Sequence, residues 1–234
     1  MKTASGIVTP KKKQSNSLEV NNSLYLNGWM HYKLEIATPE NISSEIERIG
    51  NSLGRRTAGR AGALEEIVQP LHQKDAHPRS LSAQYGLNTL PFHVELSHRE
   101  LPCRYVLLGC IATGKSCSST KLIDWRNLGF SSSELSFLEQ VPILVRNGRR
   151  SFYSTILNSE RTFLRYDPGC IEAIDKRGEI AIQLVEKRLG SGIVFEHKWC
   201  QGDILIIDNW RILHGRGASK SGSERRLLRA LIDV

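Results

Sequence analysis

Several familiar signatures are missing from this chain. Its five cysteines, Cys103, Cys110, Cys117, Cys170 and Cys200, are an odd number and form no CxxC pair. Neither a disulfide framework nor a zinc ribbon is indicated, and free thiols in a reducing compartment are expected. No apolar run approaches the length of a membrane-crossing helix. The opening residues MKTASGIVTPKKK lack the apolar segment of a secretory signal, so a cytoplasmic protein with no membrane partner is expected. There is no GxGxxG or GxxxxGKS/T phosphate loop and no GxSxG elbow, which removes the common nucleotide-binding and serine-hydrolase readings.

The charge is not balanced. A formal net charge of +8 invites a nucleic-acid partner, but the basic residues are spread along the chain. The exceptions are Lys11 to Lys13 and the pairs Arg55-Arg56, Arg149-Arg150 and Arg225-Arg226. Aromatic residues are not interleaved with them as a stacking groove requires, so nucleic acid is not expected and an anionic small molecule accounts for the charge equally well.

What is present is an ordinary globular composition, 40% hydrophobic and 24% charged over 234 residues, enough for one well-buried core. Residues 1–22 are polar and carry the lysine triplet, and read as a flexible tail; residues 23–234 read as one domain. Leu24 to Ile36 alternates like a strand. Thr38-Pro39-Glu40 then offers an N-cap, a first-turn proline and an acidic first turn for a helix that ends at Gly54. Residues 55–63 look like a loop, LEEIVQPL like a strand or short helix, and 72–84 like a long polar connection. Arg104 to Ile111 is a buried strand. CSSTKLIDWRNL reads as a turn leading into a helix, and SSSELSFLEQ as a helix capped by Ser133. VPILVRN and RSFYSTIL read as strands, CIEAIDKRGEIAIQLVEKRLG is helical in period as far as Gly190, and Ile193 to Trp199 is a further strand. Many short strands with a few helices between them favour a mainly β, double-sheet barrel decorated by helices over a doubly wound fold.

The most informative stretch runs from Gly202 to Arg229. Ile204 to Ile207 is a short buried strand, Asp208-Asn209 breaks it, and Trp210 to Leu213 resume an apolar pattern with His214 at its end. On the final strand RRLLRALIDV, the two-residue period puts Arg225, Leu227 and Arg229 on one face. Arginine on an inward face calls for an anion, because an unpaired buried charge is costly and the guanidinium fork suits a carboxylate; solvated charges on an edge strand are the other reading.

Upstream, His93 and Glu95 project to the same side if both lie on a strand, and could grip one ion; a hydrogen-bonded polar pair is the alternative. With His214 they make two imidazoles and one carboxylate, the composition that holds Fe(II) while leaving positions open for O2 and other ligands. Arg225 adds an anion partner for a cosubstrate. Arg165 and Tyr166 are candidates to face a substrate, His98 and His197 read as exposed or structural, and Trp199 and Trp210 as core.

These residues bring a resemblance with them. Through LPFHVE, PCRYVLLGC, FLRYDPGC, GDILIIDNWRILHGR and RRLLRALI, from Leu64 to Val234, the sequence resembles the TauD/TfdA group of Fe(II)/2-oxoglutarate-dependent dioxygenases. Its H-x-E glutamate is similar to that of the clavaminate synthase-like branch. The resemblance implies a double-stranded β-helix, or jelly-roll, barrel. It implies Fe(II) held by His93, Glu95 and His214, with 2-oxoglutarate and O2 as cosubstrates. It also implies Arg225 on the distal carboxylate of 2-oxoglutarate, Thr120 on the same molecule, and Arg229 nearby, assisting that site or holding an anionic group of the substrate. The glycine-rich lead-in usual before that threonine is Cys117-Ser118-Ser119 here. The reaction so implied is hydroxylation of a small polar metabolite, such as an amino acid derivative, with succinate and CO2 released; desaturation or ring closure uses the same ligands. Glu95 argues against a halogenase, which replaces that carboxylate by a small residue. The same chemistry on a macromolecule, and a non-catalytic barrel that binds an anion, are the competing readings.

Overall fold

A computed structural model describes residues 17–59, 62–115, 117–220 and 224–234. The chain opens with α1 (Ser17–Asn27) and β1 (Trp29–Lys33), followed by α2 (Pro39–Leu53), β2 (Arg55–Thr57) and β3 (Glu65–Val68). Next come α3 (Leu81–Tyr85), β4 (Leu90–His93), β5 (Tyr105–Ala112), β6 (Thr120–Asp124), α4 (Ser132–Gln140), β7 (Pro142–Val145) and β8 (Phe152–Thr155). The last part contains β9 (Ile171–Ala173), α5 (Lys176–Ser191), β10 (Phe195–His197), β11 (Asp203–Asp208), β12 (Ile212–Arg216) and β13 (Arg226–Asp233).

All strand pairs are antiparallel. A six-stranded sheet runs β1-β11-β5-β13-β2 with β3 also on β13, a four-stranded sheet runs β10-β6-β12-β4, and β8-β7-β9 form a small third sheet. The two larger sheets face each other across a core that includes Val106, Leu122, Leu205, Ile207, Ile212, Leu227 and Leu231. This is the double-stranded β-helix, mainly β with helices around it. Strand periodicity decides what each face meets. On β11, Leu205 and Ile207 point into that core, while Ile204 and Ile206 point outward onto Val20 and Leu24 of α1 and Ile42, Ile46 and Ile49 of α2. The outer face of the smaller sheet, with Ile123 and Leu213, is covered by α4, α5 and the third sheet through Leu138, Ala181 and Val185.

Local signals in the sequence match the helix ends. Thr38 caps α2 by accepting the Asn41 amide, Pro39 sits in its first turn and Gly54 ends it. α4 is capped by Ser131, not Ser133, because Ser131 and Glu134 are spaced to close a reciprocal capping box. Several stretches differ from the expected reading: the expected loop 55–63 opens with β2, and the stretch expected to be helical from Cys170 opens with β9 before α5 starts at Lys176. Leu24 belongs to α1, where it packs beside Val20 one turn away, and the strand begins only after Gly28, whose φ of +78° ends the helix. Residues 17–22 therefore fall inside this helix, while the rest of the expected tail lies outside the described residues. The segment after Cys117 forms β6, because Leu122 and Ile123 feed the cores on the two faces of the sheet; only the one short turn of 3-10 helix at Trp125–Asn127 is helical. Among the described residues no helix is long and apolar enough to cross a membrane.

The contact between α2 and the larger sheet passes over Gly109. A Cβ there would meet the side chain of Ile42, and Ile46 Cδ1 at 2.9 Å. Gly109→Ala is expected to lift α2 from the sheet and lower stability by about 1 to 3 kcal/mol, measured by urea unfolding. An unchanged midpoint would contradict this packing account.

Candidate metal centre

His93 and His214 are opposite each other across the β4–β12 pair, with ring centroids 4.5 Å apart. The register shifts between His214 and Arg216, and the proline of β4 falls within this irregularity, where a missing N–H is tolerated. Pro91 then offers its carbonyl to His93 Nδ1 at 3.0 Å. A carbonyl only accepts, so Nδ1 carries the proton and the lone pair of neutral His93 is on Nε2. His214 lies on the inner face of β12 with Ile212 and Arg216, and its Nε2 is 3.9 Å from Glu95 Oε2.

Glu95 is not on a strand. β4 ends at His93, and Glu95 lies in the turn beyond it, just before Leu96 in the left-handed region at φ 57°. Side-chain alternation therefore does not aim this carboxylate; three other groups do. Asn209 brackets its backbone, accepting the Glu95 N–H at 2.8 Å and donating to the Glu95 carbonyl at 3.0 Å and the Cys103 carbonyl at 2.8 Å. Arg165, only 1% exposed, ties down the following turn by donating to the carbonyls of Ser97, Arg99 and Glu100. Arg229 donates to Glu95 Oε2 at 2.6 Å and, with its other arm, to Glu66 Oε2 at 2.5 Å.

The result is that His93, Glu95 and His214 each present one ligand atom, all within 4.8 Å of one another. Two imidazole nitrogens and a carboxylate oxygen suit a first-row divalent metal, and His214 Nδ1 is buried with no hydrogen-bond partner among the described residues. The electrostatics favour binding. Burial opposes ionisation of Glu95, yet the Arg229 guanidinium and the two histidines hold its carboxyl well below the usual carboxylate range. Burial, with His93 beside it, pushes the His214 imidazole down to about 4, so it is neutral and able to ligate at neutral pH.

The three residues line a cleft of about 1800 Å³ together with Thr120, Arg216, Arg225 and Arg229. Arg225 is 5% exposed, donates to the Ser118 carbonyl at 2.7 Å, and pairs with no carboxylate among the described residues. Thr120 begins β6, and its hydroxyl oxygen accepts the Trp199 indole N–H at 3.0 Å. Because indole nitrogen only donates, the Thr120 hydrogen remains to be given elsewhere. Arg229 lines the cleft and pairs with two carboxylates, Glu66 and Glu95, so it holds Glu95 in place. Neither Arg165 nor Tyr166 lines this cleft: Arg165 is spent on backbone carbonyls, and Tyr166 is buried with its hydroxyl on Glu186 at 3.2 Å. His197 is buried beside Asp203 at 3.3 Å, a structural pair.

Residues 139–231 match the family model described as taurine catabolism dioxygenase TauD, TfdA family. Across that stretch the chain is similar to TauD/TfdA sequences. It includes His214, Arg225 and Arg229, whereas His93, Glu95 and Thr120 lie before it. No curated protein has a significantly similar sequence. Among solved structures, asparagine oxygenase in complex with Fe(II), 2S,3S-3-hydroxyasparagine and succinate is similar at a TM-score of 0.76 and 17% identity, covering 92% of this chain and 78% of that one. The non-heme iron oxygenase OrfP in complex with Fe and alpha-ketoglutaric acid has a TM-score of 0.75 at 18% identity, with 92% and 78% covered. OrfP with Fe, succinate and (3S)-hydroxy-L-Arg has 0.73 at 17%, with 92% and 79% covered. At these identities the likeness establishes a shared fold.

Two predictions follow from the geometry. The unfolded His214 takes up a proton near its ordinary value of 6.5 and the folded one only near 4, so acidification through this window favours unfolding. Below it, protonation of Glu95, whose folded value is depressed, acts in the same direction. The metal-free protein is therefore expected to lose melting temperature from about pH 6.5 downward, and His214→Gln to flatten the upper part of that profile. Asn209→Ala leaves three buried backbone groups without their partner and frees Glu95; calorimetry is expected to show divalent-metal affinity reduced about ten- to a hundredfold. Unaltered affinity would mean that the bracket does not position the carboxylate.

Proposed function

We propose that this chain is an Fe(II)/2-oxoglutarate-dependent dioxygenase that hydroxylates a small polar metabolite, such as an amino acid or its derivative. The observation that carries the reading is the juxtaposition of two histidines and a glutamate, within 4.8 Å of one another, with the buried, carboxylate-free Arg225 in the same cleft. His93, Glu95 and His214 would hold the iron. When bound, iron(II) supplies the O2 and redox chemistry by which R–H, 2-oxoglutarate and O2 become R–OH, succinate and CO2.

The protein groups bind and orient. Arg225 receives the distal carboxylate of 2-oxoglutarate through a charge-assisted fork, and the free Thr120 hydrogen is available to the same anion. Trp199 fixes the Thr120 hydroxyl so that it donates in that direction. Arg229 and Asn209 keep Glu95 ionised and in place. The solved structures similar in fold hold hydroxyasparagine or hydroxyarginine, which supports a substrate of amino acid size and polarity. Of these groups, His214, Arg225 and Arg229 lie within the stretch that matches the TauD/TfdA model. The five free thiols fit a cytoplasmic setting, with a small molecule rather than nucleic acid as partner.

The test is a panel of L-amino acids and derivatives incubated with protein, Fe(II) and 2-oxoglutarate, scoring succinate against product heavier by one oxygen atom. One succinate per hydroxylated product is expected, with none from Glu95→Ala or His214→Ala. Arg225→Ala is expected to raise the 2-oxoglutarate requirement by roughly tenfold or more, as loss of a charge-assisted contact does. Succinate release that survives all three substitutions would place the site elsewhere.

A further inference from the structure

Arg216 ends β12, two residues after His214, and is 6% exposed. Its Cα partners are Thr120 on β6 and Leu90 on β4, so it lies at the same level of the barrel as the threonine of the cleft. One arm is engaged: Nη2 donates to the carbonyls of Gly86 and, at 2.9 Å, Asn88. The other arm is not, since Nη1 of Arg216 makes no hydrogen bond among the described residues, and neither does Nη2 of Arg225. Both side chains line the cleft.

The two guanidinium groups therefore stand in one cleft. Neither pairs with a carboxylate among the described residues, and the Nε of each is buried with no hydrogen-bond partner there. Two like charges buried in one cleft with no counter-ion are costly, and the cost is recovered when an anion enters between them. Arg165 shows the contrast. It too is buried without a carboxylate among the described residues, but both its arms are taken by carbonyls and it does not line the cleft.

We propose that Arg216 is the second arm of the anion site: together with Arg225 it grips the distal carboxylate of 2-oxoglutarate, and the pair selects a dicarboxylic over a monocarboxylic oxoacid. This rests on the reading of Arg225 as the cosubstrate anchor. Arg216 acts as a binding and positioning residue, and its hold on the 86–88 loop couples that loop to occupancy of the site.

The test compares 2-oxoglutarate with 2-oxopentanoate, which has the same chain without the distal carboxylate, by anaerobic calorimetry on Fe(II)-loaded protein. The unaltered chain is expected to prefer 2-oxoglutarate strongly; no preference would overturn both this proposal and the cosubstrate reading. Arg216→Gln is expected to lose at least about tenfold in 2-oxoglutarate affinity while 2-oxopentanoate affinity stays within about twofold. Arg216→Lys, which keeps a cation but not the fork, should fall between. Retained preference in Arg216→Gln, or equal loss for both ligands, would reduce Arg216 to a prop for its loop and overturn the proposal. Should the variants fail to fold, the guanidinium Nε–H resonances of the unaltered protein decide: those of Arg216 and Arg225 should both move with 2-oxoglutarate, and movement of Arg225 alone would contradict the second arm.

Discussion

The site depends on charges placed on the inward face of β13. Leu227 and Leu231 on that face enter the core between the sheets, while Arg229, between them, reaches Glu95 at 2.6 Å and Glu66 at 2.5 Å. A guanidinium is tolerated there because both of its arms meet carboxylates. Arg225, one residue before the same strand, has no such partner among the described residues, and its unpaired charge suits the cleft to an anion. One strand thus both fixes the carboxylate of the metal cluster and supplies the binding charge beside it.

The second constraint is that the carboxylate lies beyond the end of its strand. A glutamate in a turn has no pleat to aim it, and this turn includes a left-handed Leu96. Asn209, from the break between β11 and β12, and Arg165, which holds the carbonyls of the following residues, replace the missing ladder with side-chain bonds. The cluster is therefore held from three directions: by the sheet through both histidines, by β13 through Arg229, and by two polar side chains distant in sequence.

How much of this was legible in the sequence follows from the range of each interaction. The ends of α2 were readable at Thr38, Pro39 and Gly54 because capping involves only near neighbours. Leu227 and Arg229 share a face as strand alternation, a local rule, leads one to expect; Arg225 lines the same cleft but stands one residue before β13, and the register shifts between Arg226 and Leu227. The two histidines and the glutamate could be singled out by type and order, but the reason given for the His93–Glu95 pairing, a common strand face, differs from the turn that is found. Asn209 could be read only as a turn former, and Arg165 only as a residue near a possible substrate, because a bond to a backbone carbonyl leaves no partner residue type to recognise. Arg229 was expected near the cosubstrate; its commitment to Glu66 joins β3 to β13 across a long stretch of chain and has no local signature. β6 was misread for a related reason: its apolar pair Leu122 and Ile123 is too short to declare a strand without the two cores it feeds.

The central claim is that these residues form one centre that binds iron and 2-oxoglutarate together. It is tested most directly by adding 2-oxoglutarate anaerobically to protein loaded with one equivalent of Fe(II) and recording the weak visible band of an iron(II)–oxoacid chelate. The account predicts one iron per chain and a band that saturates with 2-oxoglutarate, absent from His214→Ala. No stoichiometric iron, or a band unaffected by loss of His214, would contradict it.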